Sequence, residues 1–209
     1  MNLKIKHARF LWIVGVVLAL SLAPGCNDNG PSGKVFTPTL TATFASDGAL
    51  ADNGVGLEFD SYSSADNELT LKVVVQNVGS FYGAAVAVEF NPFILEYLHA
   101  DLPAASFLAE GGATVLFDKN LYGTALVDIV ASRQDAALPG VTMVAGQKEV
   151  LATITFKVLK ATQVQSPIVF AADVAADLLW VRSCASVGAC DLVTADITFV
   201  GGTVTVVAN

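Results

Sequence analysis

The stretch "YGAAVAVEFNPFILEYL", Tyr82 to Leu98, decides how the rest of the chain is read. It begins as a strict alternation. Val86, Val88 and Phe90 fall on one face and Ala85, Ala87 and Glu89 on the other, the period of a half-buried strand. Asn91-Pro92 then stops it, since proline lacks an amide donor and fixes φ. A second apolar run, Ile94 to Leu98, starts at once, and the outward face of the first strand carries little but small residues.

Strand signals of this kind repeat along the chain. "LTLKVVVQNV" (Leu69 to Val78) sets Leu69, Leu71, Val73 and Val75 on one face and Lys72 and Gln76 away from it. "LTATF", "GLEFDSY", "ATVLF", "TALVDIVAS", "VLATITFKVLK", "PIVFAA", "DITFV" and "TVTVVAN" add further short runs rich in β-branched and aromatic residues. Gly79-Ser80, Gly111-Gly112, Tyr122-Gly123, Pro139-Gly140 and Gly201-Gly202 punctuate them. No long amphipathic helix is legible; "DVAADLLWV" allows about one turn. Many antiparallel strands with short turns predict a β-sandwich or jelly roll, in which each of two sheets buries one face.

Composition narrows the function. The 209 residues are 54% hydrophobic and 14% charged, the reverse of a disordered chain. Net charge is −8 with Lys and Arg sparse and unclustered, so a nucleic-acid partner has no electrostatic footprint. Lys4, Lys6 and Arg9 precede an apolar stretch, Phe10 to Leu22, that is short for a membrane span. Small residues Ala23, Pro24 and Gly25 then lead into Cys26. This resembles the signal and lipobox of bacterial lipoproteins, with Ala23 where that pattern usually has leucine. The resemblance implies cleavage before Cys26, lipidation of its thiol, and an extracytoplasmic protein anchored to the outer membrane or cell surface. Ordinary secretion with an incidental Cys26 is the alternative.

Three cysteines are an odd number for an exported chain. Cys184 and Cys190, in "CASVGAC", can pair and leave Cys26 for the lipid; a metal site would lack a second ligand pair, with His99 the only imidazole beyond the signal. The expected layout is therefore a signal peptide over 1–25, a tether and short extension over 26–53, and the sandwich over 54–209.

The order of these strands resembles the cohesin family. "VAVEFNPFILEYL" matches its strand ending in aromatic-Asp-Pro, with Asn91 in place of the aspartate. "LTLKVVVQNVGSFYGA", "GTALVDIVAS" followed by "GQKEVLATITFKV", and "DLVTADITFVGGTVTV" match further segments, so the likeness runs from about Gly54 to Val207. It implies a nine-stranded, antiparallel, all-β jelly-roll sandwich. It also implies a receptor for dockerin modules, calcium-loaded helical partners in polysaccharide-degrading assemblies. In many members the outward face of this strand hydrogen-bonds dockerin; the matching positions are Gly83, Ala85 and Ala87.

No motif for catalysis, and no cofactor or metal site, emerges. Asp128, inside "ALVDIVAS", is an outward-facing or a buried functional carboxylate. "SADNE" (Ser64 to Glu68) and Asp47 form solvated turns or a calcium loop. Tyr62, Tyr82, Tyr97, Tyr122 and Trp180 are packing residues or a sugar-stacking platform. The reading is a non-catalytic surface module that recognises a protein. A lipid-anchored carbohydrate-binding module for polysaccharide, or a structural surface lipoprotein, are the alternatives.

Overall fold

The computed structural model describes residues 39–135, 137–160, 165–171, 178–186, 189–194 and 196–209, without the side chains of 178–186, 189–190 and 192–194. Cys26, the signal and most of the tether lie outside the described residues. In chain order the strands are β1 (Leu40–Ser46), β2 (Gly54–Ser63), β3 (Glu68–Gln76), β4 (Phe81–Glu89), β5 (Leu95–Asp101), β6 (Val115–Tyr122) and β7 (Leu126–Arg133). They continue with β8 (Lys148–Val158), β9 (Ser166–Phe170), β10 (Leu178–Ser186), β11 (Ala189–Thr194), β12 (Thr198–Val200) and β13 (Gly202–Ala208). A short 3-10 segment, Phe107–Gly112, separates β5 from β6.

Two sheets form a sandwich of the jelly-roll kind. One has the order β12-β2-β3-β8-β5; the other runs β1-β13-β9-β4-β10-β11, with β7 on the free flank of β4 and β6 outside β7. The alternation seen in the sequence becomes the core. Leu69, Leu71, Val73 and Val75 of β3 are fully buried, and Val86, Val88 and Phe90 join them from the facing sheet. Phe90 packs its ring 5.0 Å from that of Phe156 on β8.

The Asn91-Pro92 turn carries the chain from one sheet to the other, since β4 and β5 belong to different sheets. The Asn91 side-chain oxygen accepts the Phe93 amide at 3.0 Å, and its carbonyl accepts the amides of Ile94 and Leu95. Asparagine therefore makes the local bonds that aspartate makes in such turns. Nearby, Lys119 on β6 reaches across the seam. Its Nζ donates to the Ala100 carbonyl and lies 3.3 Å from the Asp101 carboxylate, joining an edge of each sheet. Desolvation opposes ionisation of Asp101, but Lys119, and then His99 at 2.8 Å, hold its carboxyl below the usual range.

Three expectations change. The described residues carry thirteen strand segments instead of nine, in part because two strands, β9 and β10, share the flank of β4 opposite β7. The pairing is antiparallel except for β12, which runs parallel to β2. The sandwich starts earlier than residue 54: β1 pairs with β13 along its whole length and buries Ala42, where the sequence suggested an extension. Gly202 makes that pairing possible, since a Cβ there would stand 2.1 Å from the Phe44 ring. The β10–β11 register also sets Cys184 directly opposite Cys190.

Phe90→Ala removes an aromatic from the contact between the sheets. It is expected to cost about 3–5 kcal/mol in urea-induced unfolding, with little change in the unfolding slope.

Candidate binding face

The outward surface of the β6-β7-β4 sheet is the candidate site, and strand register builds it in rows. Residues paired across neighbouring strands project to the same side. Leu116, Ser132 and Gly83 form one row; Asp118, Val130 and Ala85 the next; Asn120, Asp128 and Ala87 the third; Tyr122, Leu126 and Glu89 the fourth. Beyond β4, the register positions of Leu178 and Trp180 on β10 stand opposite Ala85 and Gly83. The face thus has a low floor on β4 and taller, polar and aromatic residues on β6.

The floor is more enclosed than the sequence suggested. Ala85 is 8% exposed, Ala87 0%, and Gly83 is buried as well. Strand β4 bears this floor. It is an interior strand, flanked by β7 on one side and by β9 and β10 on the other. A methyl group there stands lower than Val130 and Asp128 beside it. Gly83 is set by close packing: a Cβ would lie 2.6 Å from that of Ser132 and 2.7 Å from the Ala131 carbonyl. What these small residues present to a partner is depth, and the reachable groups are their neighbours. The exposed groups are Leu116, Asp118, Asn120 and Tyr122, the last 55% exposed.

Asp128 occupies the middle of this face, half-buried between Asn120 and Ala87. One carboxylate oxygen, Oδ1, is enclosed without a hydrogen-bond partner. Desolvation raises its pKa above the ordinary aspartate value. Of the two sequence readings, outward-facing is the one observed, with part of the burial of the other.

The remaining candidates are dispersed. His99 is exposed and pairs with Asp101. In the β2–β3 turn the Ser63 hydroxyl donates to the Asp66 carboxylate at 2.9 Å, and Asp47 ties its amide to the Gly201 carbonyl. Among the described residues no cluster of three His, Cys, Asp or Glu side chains is disposed to hold a metal ion. Tyr82 is buried with its hydroxyl on the Asp135 carbonyl, Tyr62 is half-buried with its hydroxyl on that of Leu40, and Tyr97 packs edge-on against Phe156. Tyr122 alone of the four tyrosines is freely exposed. The side chain of Trp180 lies outside the described residues. Sequence reasoning missed the β6 row, though "TVLFDKNLY" carries it as a period of two: Leu116, Asp118, Asn120 and Tyr122.

The fold is a two-sheet jelly roll whose β6 edge carries an exposed, partly apolar row. The cohesin-domain sequence profile matches residues 58–178, more than half of the chain. The chain belongs to the cohesin domain family, and it is a non-catalytic protein-recognition module. Solved structures agree in fold. A type II cohesin domain from the cellulosome of Acetivibrio cellulolyticus superposes with a TM-score of 0.53 at 14% identity, over 74% of this chain and 95% of its own. A type I cohesin from Pseudobacteroides cellulosolvens gives 0.51 at 14% identity, over 72% and 88%. A mutant type II cohesin–X-dockerin complex from Acetivibrio cellulolyticus gives 0.51 at 14%, over 69% and 93%. No curated protein matches the sequence.

Because the raised pKa of Asp128 reflects a carboxylate that folding desolvates, its burden is absent below the unfolded value and grows as pH rises through the folded one. Asp128→Asn is therefore expected to stabilise the domain at pH 7 by about 1 kcal/mol. The gain should vanish in acid, below the ordinary aspartate pKa. Urea unfolding of both proteins across pH 3 to 8 checks this (~0.3 kcal/mol resolves it).

Proposed function

We propose that the outward β6-β7-β4 face docks a dockerin-type, calcium-loaded helical partner, and that the chain serves a polysaccharide-degrading assembly. The row of Leu116, Asp118, Asn120 and Tyr122 beside a low floor is the observation that carries this reading. A helix can lie close where Gly83, Ala85 and Ala87 keep the floor down. Tyr122 and Leu116 offer the apolar anchors that hold most of the energy in such contacts, and Asp118 and Asn120 offer hydrogen-bond groups around them. Family membership supports the class of partner; a relative crystallised with an X-dockerin module supports its kind.

A calcium-loaded dockerin panel, titrated against the purified protein, tests the reading. Binding is expected in calcium and lost on chelation. Tyr122→Ala is expected to weaken it about tenfold or more, with unchanged unfolding. Binding that ignores Tyr122→Ala and Leu116→Ala moves the docking surface elsewhere. Capture by insoluble cellulose with no dockerin bound favours the polysaccharide reading.

The same proposal includes lipid anchoring through Cys26 on the extracytoplasmic side of a bacterial membrane. The basic residues, apolar stretch and small residues before Cys26 support it. It also includes a disulfide between Cys184 and Cys190. Their directly opposed register supports this, since cross-strand Cα spacings of about 4.5–5.5 Å fall within the range a disulfide spans. One sample tests both. Mass spectrometry of the unreduced protein from membranes is expected to show acyl chains on an N-terminal Cys26 and no alkylatable thiol at Cys184 or Cys190. Cys26→Ala should leave the membrane fraction.

A further inference from the structure

Arg133 is a buried cation. It follows Val127, Ile129 and Ala131 on the inward set of β7 and so enters the mouth of the sandwich beneath Phe107–Gly112. It is only 5% exposed. Its Nη2 donates to the Glu110 carbonyl at 2.8 Å, and its Nε is enclosed with no partner. None of the ion pairs among the described residues includes it. A guanidinium does not deprotonate, and withdrawing one from water without a partner is costly.

Arg133 lines a solvent-open cleft of about 320 Å³, together with Glu110, Leu138, Pro139, Val141 and Thr142. We infer that this cleft is a receptor for a small carboxylate ligand, with Arg133 as its charge partner. The Glu110 carbonyl anchors the guanidinium plane through Nη2, and the other N–H groups of Nη1 and Nη2, rather than the enclosed Nε, are the ones offered to a planar oxyanion, the geometry a carboxylate matches. Glu110 is the other charged residue of the lining. It repels any anion there, so the choice of a carboxylate rests on its planar match to the guanidinium and on the apolar wall. Leu138, Pro139 and Val141 provide an apolar wall for a short organic body, and the Thr142 side chain adds a hydroxyl. The site belongs to the inward set of β7, apart from the outward face, and stands whether or not that face docks a dockerin.

The test is an NMR titration of the full 15N-labelled chain with sodium propionate, sodium phosphate, and sodium chloride at matched ionic strength. Propionate is expected to shift the Gly111 and Gly140 amides and the Arg133 Nε–H signal saturably. Chloride should not reproduce the shift, and phosphate should bind several-fold more weakly. Arg133→Met should abolish saturation. Should that variant not fold, Glu110→Gln, which keeps the anchoring carbonyl, is expected to tighten propionate about twofold by removing one unit charge acting through solvent. Shifts no larger than those in chloride overturn the site. Phosphate binding tighter than propionate overturns the ligand class. Saturation that survives Arg133→Met, or Glu110→Gln that weakens binding, overturns the role given to the two residues.

Discussion

Strand β4 is buried on both of its faces, and this limits the size of every side chain it carries. Its inward set, Ala84, Val86 and Val88, meets the facing sheet in the core; its outward set is Gly83, Ala85 and Ala87. Neighbours close on both flanks, β7 along one and β9 and β10 along the other. At Gly83 the approach is tight enough that a single methyl would meet the Ser132 Cβ and a backbone carbonyl. Packing at this density leaves no room for adjustment, so the small residues are a condition of the sheet before they are a feature of its surface.

That constraint shapes the binding face. With the floor held low, contact is transferred to β7 and β6, whose side chains stand higher. Among the described residues β6 is an edge strand, paired with β7 alone, and such an edge invites unwanted strand pairing. Asp118, Lys119 and Asn120 put polar groups along it, and Lys119 also binds it to β5 of the other sheet. The same strand thus shields its own edge, clasps the sandwich and offers Leu116 and Tyr122 outward. Asp128 sits where floor and rim meet. An incompletely satisfied carboxylate is a cost to the isolated domain, and it is the kind of group that a partner's donor can satisfy.

The opposite sheet shows a different use of its outer surface. Lys72 pairs with Asp60, Lys148 with Glu58, and Thr70 with Thr155, so cross-strand polar pairs occupy β2, β3 and β8. Exposed pairs of this kind contribute little stability each. They keep that face hydrated and leave the β6-β7-β4 surface as the broad face with apolar groups at its rim.

The sequence by itself determined most of the strands, their inward sets and the turn at Asn91, because period-two burial and proline chemistry are local properties of the chain; β10, where it suggested about one helical turn, was decided by pairing with β4. It also placed the chain in its family, through the order of these local patterns. Tertiary structure decided which strands are neighbours. β1 looks like part of an extension until β13 lies beside it with Gly202 making room for Phe44. Ala87 looks outward and available in the sequence, yet it is fully buried in the fold, because burial depends on neighbours far away in the chain. Arg133 continues the inward alternation of Val127, Ile129 and Ala131 and is legible as such. That none of the ion pairs among the described residues includes it depends on how Phe107–Gly112 and the loop at Gly140 pack around it, and pair interactions between distant segments leave no mark in a single sequence.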